Sequence, residues 1–242
     1  MSGDRRAGGG EPRRFLIATA VTRYPAATHL DWDRPGLVAA RDDIVELFTG
    51  RLGYQHVTDL GLDPTADQLT RHLRDFCRSS ERRPDDVLAV YIAGHGEIVE
   101  NTGQHVLLMS DTDPDDPDDA LTTAALAPKM LLGTSIRRLL LMLDTCYAGQ
   151  GGNEFVAAAL TGVGNDRHHA FGTGLAVVTS AYPHQQAETG AFPRVLGRAV
   201  DSLATAGHGP ATLDIDALVA RMNGDPSLPP HQRIVAHLAR MS

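Results

Sequence analysis

Cysteine is scarce in this chain: Cys77 and Cys146 are the only two among 242 residues, and no Cys-x-x-Cys occurs. That excludes a disulfide-stapled scaffold and the usual structural zinc sites, and it fits a reducing compartment. Lysine is scarcer still. Lys129 stands alone, so arginine supplies every other basic residue, a bias that points to a GC-rich bacterial genome and concerns codons, not function. Positive charge is outweighed as well: the formal net charge is −8, which argues against a nucleic-acid backbone as the main partner. No apolar run approaches the roughly 20 residues of a membrane span. Met1 to Arg14 is rich in Gly and Arg with no apolar stretch after the charges, so it is not read as a secretory leader. The expectation is a short disordered tail over residues 1–13 and one cytoplasmic domain over 14–242.

What is present suffices for such a domain. Hydrophobic residues make up 42% of the chain, and neither an internal repeat nor a dividing linker is visible. Phe15 to Val21, Val87 to Ala93, Leu139 to Leu143 and Ala176 to Thr179 read as buried strands, with shorter ones near Gln55 to Leu60 and Val106 to Met109. Helical spacing runs from about Pro35 to Leu52, after an N-cap at Thr65 with Leu69, Leu73 and Phe76 inward, and from about Thr122 to Leu132. Further helices are expected over Ala191 to Leu203 and Leu213 to Met222, with an edge strand at Ile234 to Leu238. Strands alternating with helices predict an α/β fold, a mostly parallel sheet covered on both faces.

Two residues then stand out. His95 follows one buried strand in Ala93-Gly-His-Gly96, and Cys146 follows another in Asp144-Thr-Cys-Tyr-Ala-Gly149. In open parallel sheets ligands gather beyond the carboxyl ends of the strands, so the pair can share one edge although 51 positions (146 − 95) separate them. A lone cysteine at a strand end is most often simply buried. Its pairing with a histidine changes that reading, because a free thiol of pKa about 8.5 is mostly protonated at neutral pH and needs a base to become a nucleophile. Acyl transfer also needs oxyanion donors, for which the backbone N–H groups of Gly96 and Cys146 are the candidates. Cys77, on an amphipathic helix, receives no role.

These two motifs, with their spacing, resemble those of the caspase-like cysteine proteases. The Asp-x-Cys-x-x-Gly form is similar to metacaspases and bacterial caspase homologues, and the likeness runs from about Phe15 to Leu203. It implies a three-layer sandwich with a central sheet of about six strands, a Cys–His dyad without a third member, and no organic cofactor. It also implies an S1 pocket in which Asp144 forms the floor. Leu37-Val-Ala-Ala-Arg-Asp-Asp-Ile44 resembles a metacaspase stretch that places Asp43 as a second S1 acid, although Ala39-Ala40 stands where that family has Gly-Cys. Ser180, in Ser180-Ala-Tyr-Pro-His-Gln-Gln-Ala-Glu188, falls in a segment resembling another pocket wall.

Two carboxylates in a narrow pocket would select Arg or Lys at P1. The competing expectation is an acidic P1 selected by Arg23, just after the first strand. Asp111 to Asp119 is dense in carboxylates; calcium activation is a property of many metacaspases, yet this spacing lacks the Gly and Glu of an EF-hand loop, and no metal site is expected. His168-His169 is likewise not read as a metal site. Arg167, in a Gly- and Asn-containing segment between helix and strand, is an expected autoprocessing site.

The leading expectation is thus an endopeptidase acting on protein or peptide substrates, with an activating partner or self-association left open and a defence or regulated-death role suggested by analogy alone. A catalytically silent binding or assembly module, and another kind of cysteine hydrolase or transpeptidase, remain as alternatives.

Overall fold

The computed structural model describes residues 12–28, 32–164, 174–205 and 214–240. At its centre is a six-stranded sheet of β1 (Arg14–Ala20), β2 (Gln55–His56), β3 (Val87–Ala93), β7 (Arg138–Asp144), β8 (Gly174–Thr179) and β9 (Val235–Arg240). They lie in the order β2-β1-β3-β7-β8-β9, all parallel except β9, which runs antiparallel to β8. A second, three-stranded antiparallel sheet of β4 (Gly96–Ile98), β5 (His105–Leu107) and β6 (Leu121–Thr122) projects from the end of β3.

The uninterrupted apolar character of β1, β3 and β7 follows from burial on both faces. Along β1, Phe15 and Ile17 enter one core while Leu16 and Ala18 enter the other. The first core is closed by α2 (Ala66–Arg78), α3 (Leu126–Leu131) and α4 (Ala148–Gly164), through Leu69, Leu73, Met130 and Phe155. The second is closed by α1 (Leu37–Glu46), α5 (Ala191–Thr205) and α6 (Ile215–Asn223), through Ile44, Phe192, Leu196 and Met222. Each such side chain, fully buried, contributes about 1.5–3 kcal/mol. Three layers result, as the alternation of strands and helices requires.

Local signals account for most boundaries. Thr65 accepts from the Gln68 N–H while the Gln68 side chain accepts from the Thr65 N–H, a capping box that starts α2. Its buried stripe is Leu69, Leu73 and Cys77, so the cysteine and not the half-buried Phe76 completes the inner face. The helix expected to Leu52 is α1 followed by one wide turn, Leu47–Arg51. Only Gln55–His56 of the expected Gln55 to Leu60 strand pairs with β1, and the Thr122 to Leu132 helix begins as a 3-10 turn before α3. Asp111 to Asp119 is a loop ending in a 3-10 turn, in which Asp111 accepts from the Ala66 N–H and Asp115 from the Thr28 hydroxyl.

Register fixes the working edge. Ala93 of β3 pairs with Asp144 of β7, so His95 and Cys146 each lie two residues beyond the same rung. The helix α4 starts just past Cys146, and the small sheet starts just past His95.

Candidate active site

His95 and Cys146 line one cavity of about 250 Å³ at the carboxyl end of β3 and β7, together with Trp32, Arg34, Glu97, Asp144 and the strap Gln186 to Thr189. The two motifs singled out in the sequence therefore meet.

The setting of His95 comes from the segment after β1. Asp63, with a left-handed backbone, accepts from the N–H and hydroxyl of Thr22 and from the Arg23 N–H, which turns the chain. Tyr24 is then placed so that its hydroxyl accepts from the His95 N–H at 2.9 Å. The imidazole packs edge-to-face between Tyr24 and Trp32, centroids 5.0 and 4.9 Å away. Its Nε2 lies 2.8 Å from the Trp32 carbonyl oxygen. A carbonyl only accepts, so Nε2 carries the proton and Nδ1 keeps the lone pair. Burial lowers the pKa of His95, the nearby Arg34 charge adds to this, and the bond to Trp32 opposes both. A neutral imidazole with a basic Nδ1 is the result.

Cys146 is half-buried. Burial raises its pKa, the charges of Glu97 and Asp144 act in the same sense, and a backbone hydrogen bond from Ala187 and the charge of Arg34 act against it. Both directions favour the neutral pair, thiol and imidazole, over thiolate and imidazolium. The next residue, Tyr147, has φ 56°, and its N–H donates to the Gln185 carbonyl at 2.8 Å. Gly96 lies hard against this turn: a Cβ there would stand 2.6 Å from the Cys146 carbonyl oxygen and 2.6 Å from His105 Nε2.

Asp144 sits under the cavity, 5% exposed, and accepts from the Tyr91 hydroxyl at 2.7 Å. Burial raises its pKa to about 6, against the lowering effect of hydrogen bonds from Tyr91 and Ser180. Ser180 is fully buried behind Asp144, its hydroxyl also 3.2 Å from the Thr145 carbonyl, and does not line the cavity. Nor does Asp43, which is exposed on α1 and borders a separate depression with Arg51, Arg194 and Asp201. Its charge still acts on the Tyr91 hydroxyl. Arg23 is exposed, with its backbone held by Asp63. The arginine on the cavity wall is Arg34. The places of Arg34, Trp32 and Tyr24 carry no sequence signal, because the path of the segment after β1 is set by bonds accepted by Asp63 and Asp33; Glu97 comes in on β4, just past His95.

Arg167 and His168-His169 lie outside the described residues. Among the described residues no group of three or more His, Cys, Asp or Glu side chains is disposed to hold a metal ion, and no helix is long and apolar enough to cross a membrane.

A fold of this topology with a histidine and a cysteine at adjacent strand ends defines the caspase type of α/β sandwich. The sequence profile of the caspase domain matches residues 14–223, and the chain belongs to the caspase family. No curated protein matches the sequence. Among solved structures, a protein from Geobacter sulfurreducens is similar at TM-score 0.58 and 13% identity, with 94% of each chain covered. Caspase-1 from Spodoptera frugiperda is similar at TM-score 0.57 and 16% identity, covering 100% of this chain and 93% of that one. The Drosophila initiator caspase Dronc follows at 0.54 and 15%, covering 93% and 78%. At these identities the likeness concerns the fold.

Proposed function

We propose that the chain is a cysteine endopeptidase in which Cys146 is the nucleophile and His95 the general base and acid. The observation that carries this is the contact of His95 Nε2 with the Trp32 carbonyl in the cavity shared with Cys146: with Nε2 as the donor, Nδ1 is the nitrogen left to take a proton. In the reaction, Nδ1 takes the proton of Sγ as the sulfur attacks the substrate carbonyl. The oxyanion formed is stabilised by the N–H groups of Gly96 and Cys146. His95 then gives its proton to the leaving amine, and a thioester remains. Water, deprotonated by the same Nδ1, attacks the thioester and releases the acid and the thiol.

Arg or Lys is the proposed P1 residue. Three carboxylates line the cavity, Glu97, Asp144 and Glu188, against one guanidinium, Arg34. Asp144 is the proposed floor of S1 with Ser180 as its support. Protein or peptide substrates follow from the family. Arg167 is proposed as a site of self-cleavage, since it would suit the same pocket; an active enzyme that stays one band on a gel would dispose of it.

Arg34 favours a second reading, an acidic P1, because it is the one cationic side chain among the described residues lining the cavity. Fluorogenic Arg, Lys and Asp peptides, with and without calcium, beside Cys146→Ala, separate the readings. Cleavage of Arg or Lys peptides, lost in Cys146→Ala, is expected. Cleavage of the Asp peptide alone, abolished by Arg34→Ala, would reverse the specificity, and turnover of none would favour a binding module.

A further inference from the structure

His105, at the start of β5, is the least exposed histidine of the described chain and lies outside the dyad. Its Nε2 is 3.0 Å from the carbonyl oxygen of Cys146 and its Nδ1 is 2.7 Å from the Thr123 hydroxyl. The carbonyl only accepts, so Nε2 donates and Nδ1 accepts from Thr123. The Thr145 hydroxyl also donates to the Cys146 carbonyl, at 3.2 Å. The backbone N–H of His105 donates to both carboxylate oxygens of Glu154 on α4, each at 3.1 Å. Two glycines make room for the ring. A Cβ at Gly96 would stand 2.6 Å from Nε2, and one at Gly151 would stand 2.6 Å from Nδ1.

We propose that His105 is a positioning residue that clamps the nucleophile, its Nε2–H fixing the Cys146–Tyr147 peptide plane. This rests on the peptidase reading for its consequence, though not for its geometry. A peptide unit is planar, so holding its C=O also sets its N–H. The C=O of this unit is held by His105, and its N–H, that of Tyr147, is held by Gln185. With both ends pinned and Tyr147 in the left-handed region, the backbone on the carboxyl side of Cys146 is held, which leaves the thiol a restricted choice of directions at the mouth of the shared cavity. Burial keeps the clamp uncharged, lowering the pKa of His105 to about 4.

Histidine NMR on ¹⁵N-labelled Cys146→Ala protein tests the geometry without any turnover, since that variant keeps the clamped carbonyl. His105 is expected as the Nε2–H tautomer, with no titration down to about pH 5. The Nδ1–H tautomer, or a titration near pH 6.5, would overturn the clamp. The consequence is tested by the rate of Cys146 alkylation with iodoacetamide at pH 8, where buried Cys77 does not compete. His105→Leu should slow it tenfold or more, while His105→Gln, whose amide nitrogen can reach the Nε2 position, should restore it to within threefold. On any cleaved peptide, His105→Leu should lower kcat with KM changed less than twofold. Wild-type alkylation by His105→Leu refutes the proposal, and if that variant does not fold the NMR result decides. Failure of every peptide would count against the peptidase reading and leave the NMR and alkylation outcomes standing.

Discussion

The carbonyl oxygen of Trp32, 2.8 Å from Nε2 of His95, decides which ring nitrogen can take a proton. With Nδ1 as the acceptor, burial favours the neutral ring of His95 and, at Cys146, the protonated thiol. Alkylation of Cys146 should therefore rise close to tenfold per pH unit between about pH 6 and 8.5, with no plateau on the acid side. A preformed ion pair would give that plateau. His95→Ala should lower kcat on a cleaved peptide by about 10²–10⁴-fold, and Cys146→Ala should abolish turnover.

Asp144 makes a pH-dependent prediction whose sign can be worked out. Its folded pKa is raised to about 6 by burial, so the stability linked to its proton is complete below the unfolded value and is lost as pH rises through 6. The difference amounts to at most about 3 kcal/mol. Asp144→Asn should show a smaller fall in melting temperature between pH 5 and pH 8 than the wild type. It should also cut kcat/KM for Arg peptides by about 10–100-fold above pH 6, where the carboxylate is charged, in line with the loss of one desolvated ion pair. Melting curves and peptide kinetics at both pH values check it.

Gly96→Ala should fold poorly or cleave poorly. The added methyl would meet the Cys146 carbonyl oxygen, His105 and the Thr145 hydroxyl at 2.6, 2.6 and 2.7 Å, and no flexible chain end is there to yield. Overpacking of this kind costs about 1–3 kcal/mol. The expected outcome is a lowered melting temperature together with slower Cys146 alkylation.

Arg82 offers a contrast far from the edge. Its guanidinium lies over Phe15 and Phe76, 4.5 and 4.6 Å from the ring centroids, while the two rings meet edge-to-face at 5.5 Å. Arg82→Ala should destabilise by about 1–2 kcal/mol through lost stacking. Peptide turnover and Cys146 alkylation should stay at wild-type rates, which separates stability from chemistry in this molecule.

How much of this could be read from the residues depends on how local each cause is. Val87 to Ala93 is the strand β3 to the residue, because an apolar run bounded by Pro84-Asp-Asp and Gly94 has one reading. Thr65 announces its helix by the capping pair with Gln68. The meeting of His95 with Cys146 was legible from the rule that sites gather at strand ends. Arg34 and Trp32 on the cavity wall and Tyr24 against His95 were not, since all three lie on an irregular segment steered by Asp63 and Asp33. The start of α4 was masked by the run Gly149 to Gly152, whose helix propensity is poor; Gly151 is there because the His105 ring leaves no room for a side chain. His105 itself lies in a three-residue strand with no periodic signal.

The rung that pairs Ala93 with Asp144 has a consequence for how this chain can change. Distance between the thiol and the imidazole is measured along the ladder, not along the intervening chain. The turn at Glu100 to Gly103, exposed and beyond the small sheet, can be lengthened without moving either group. A peptide tag or a reporter domain inserted there would alter the count of residues between His95 and Cys146 and leave their meeting untouched. The same number of residues added within β3 would part them. Tolerance to insertion thus maps onto register: length can change in the exposed turn, while the strands that present the two residues and the groups packed against them, such as Gly96 and His105, must keep their places.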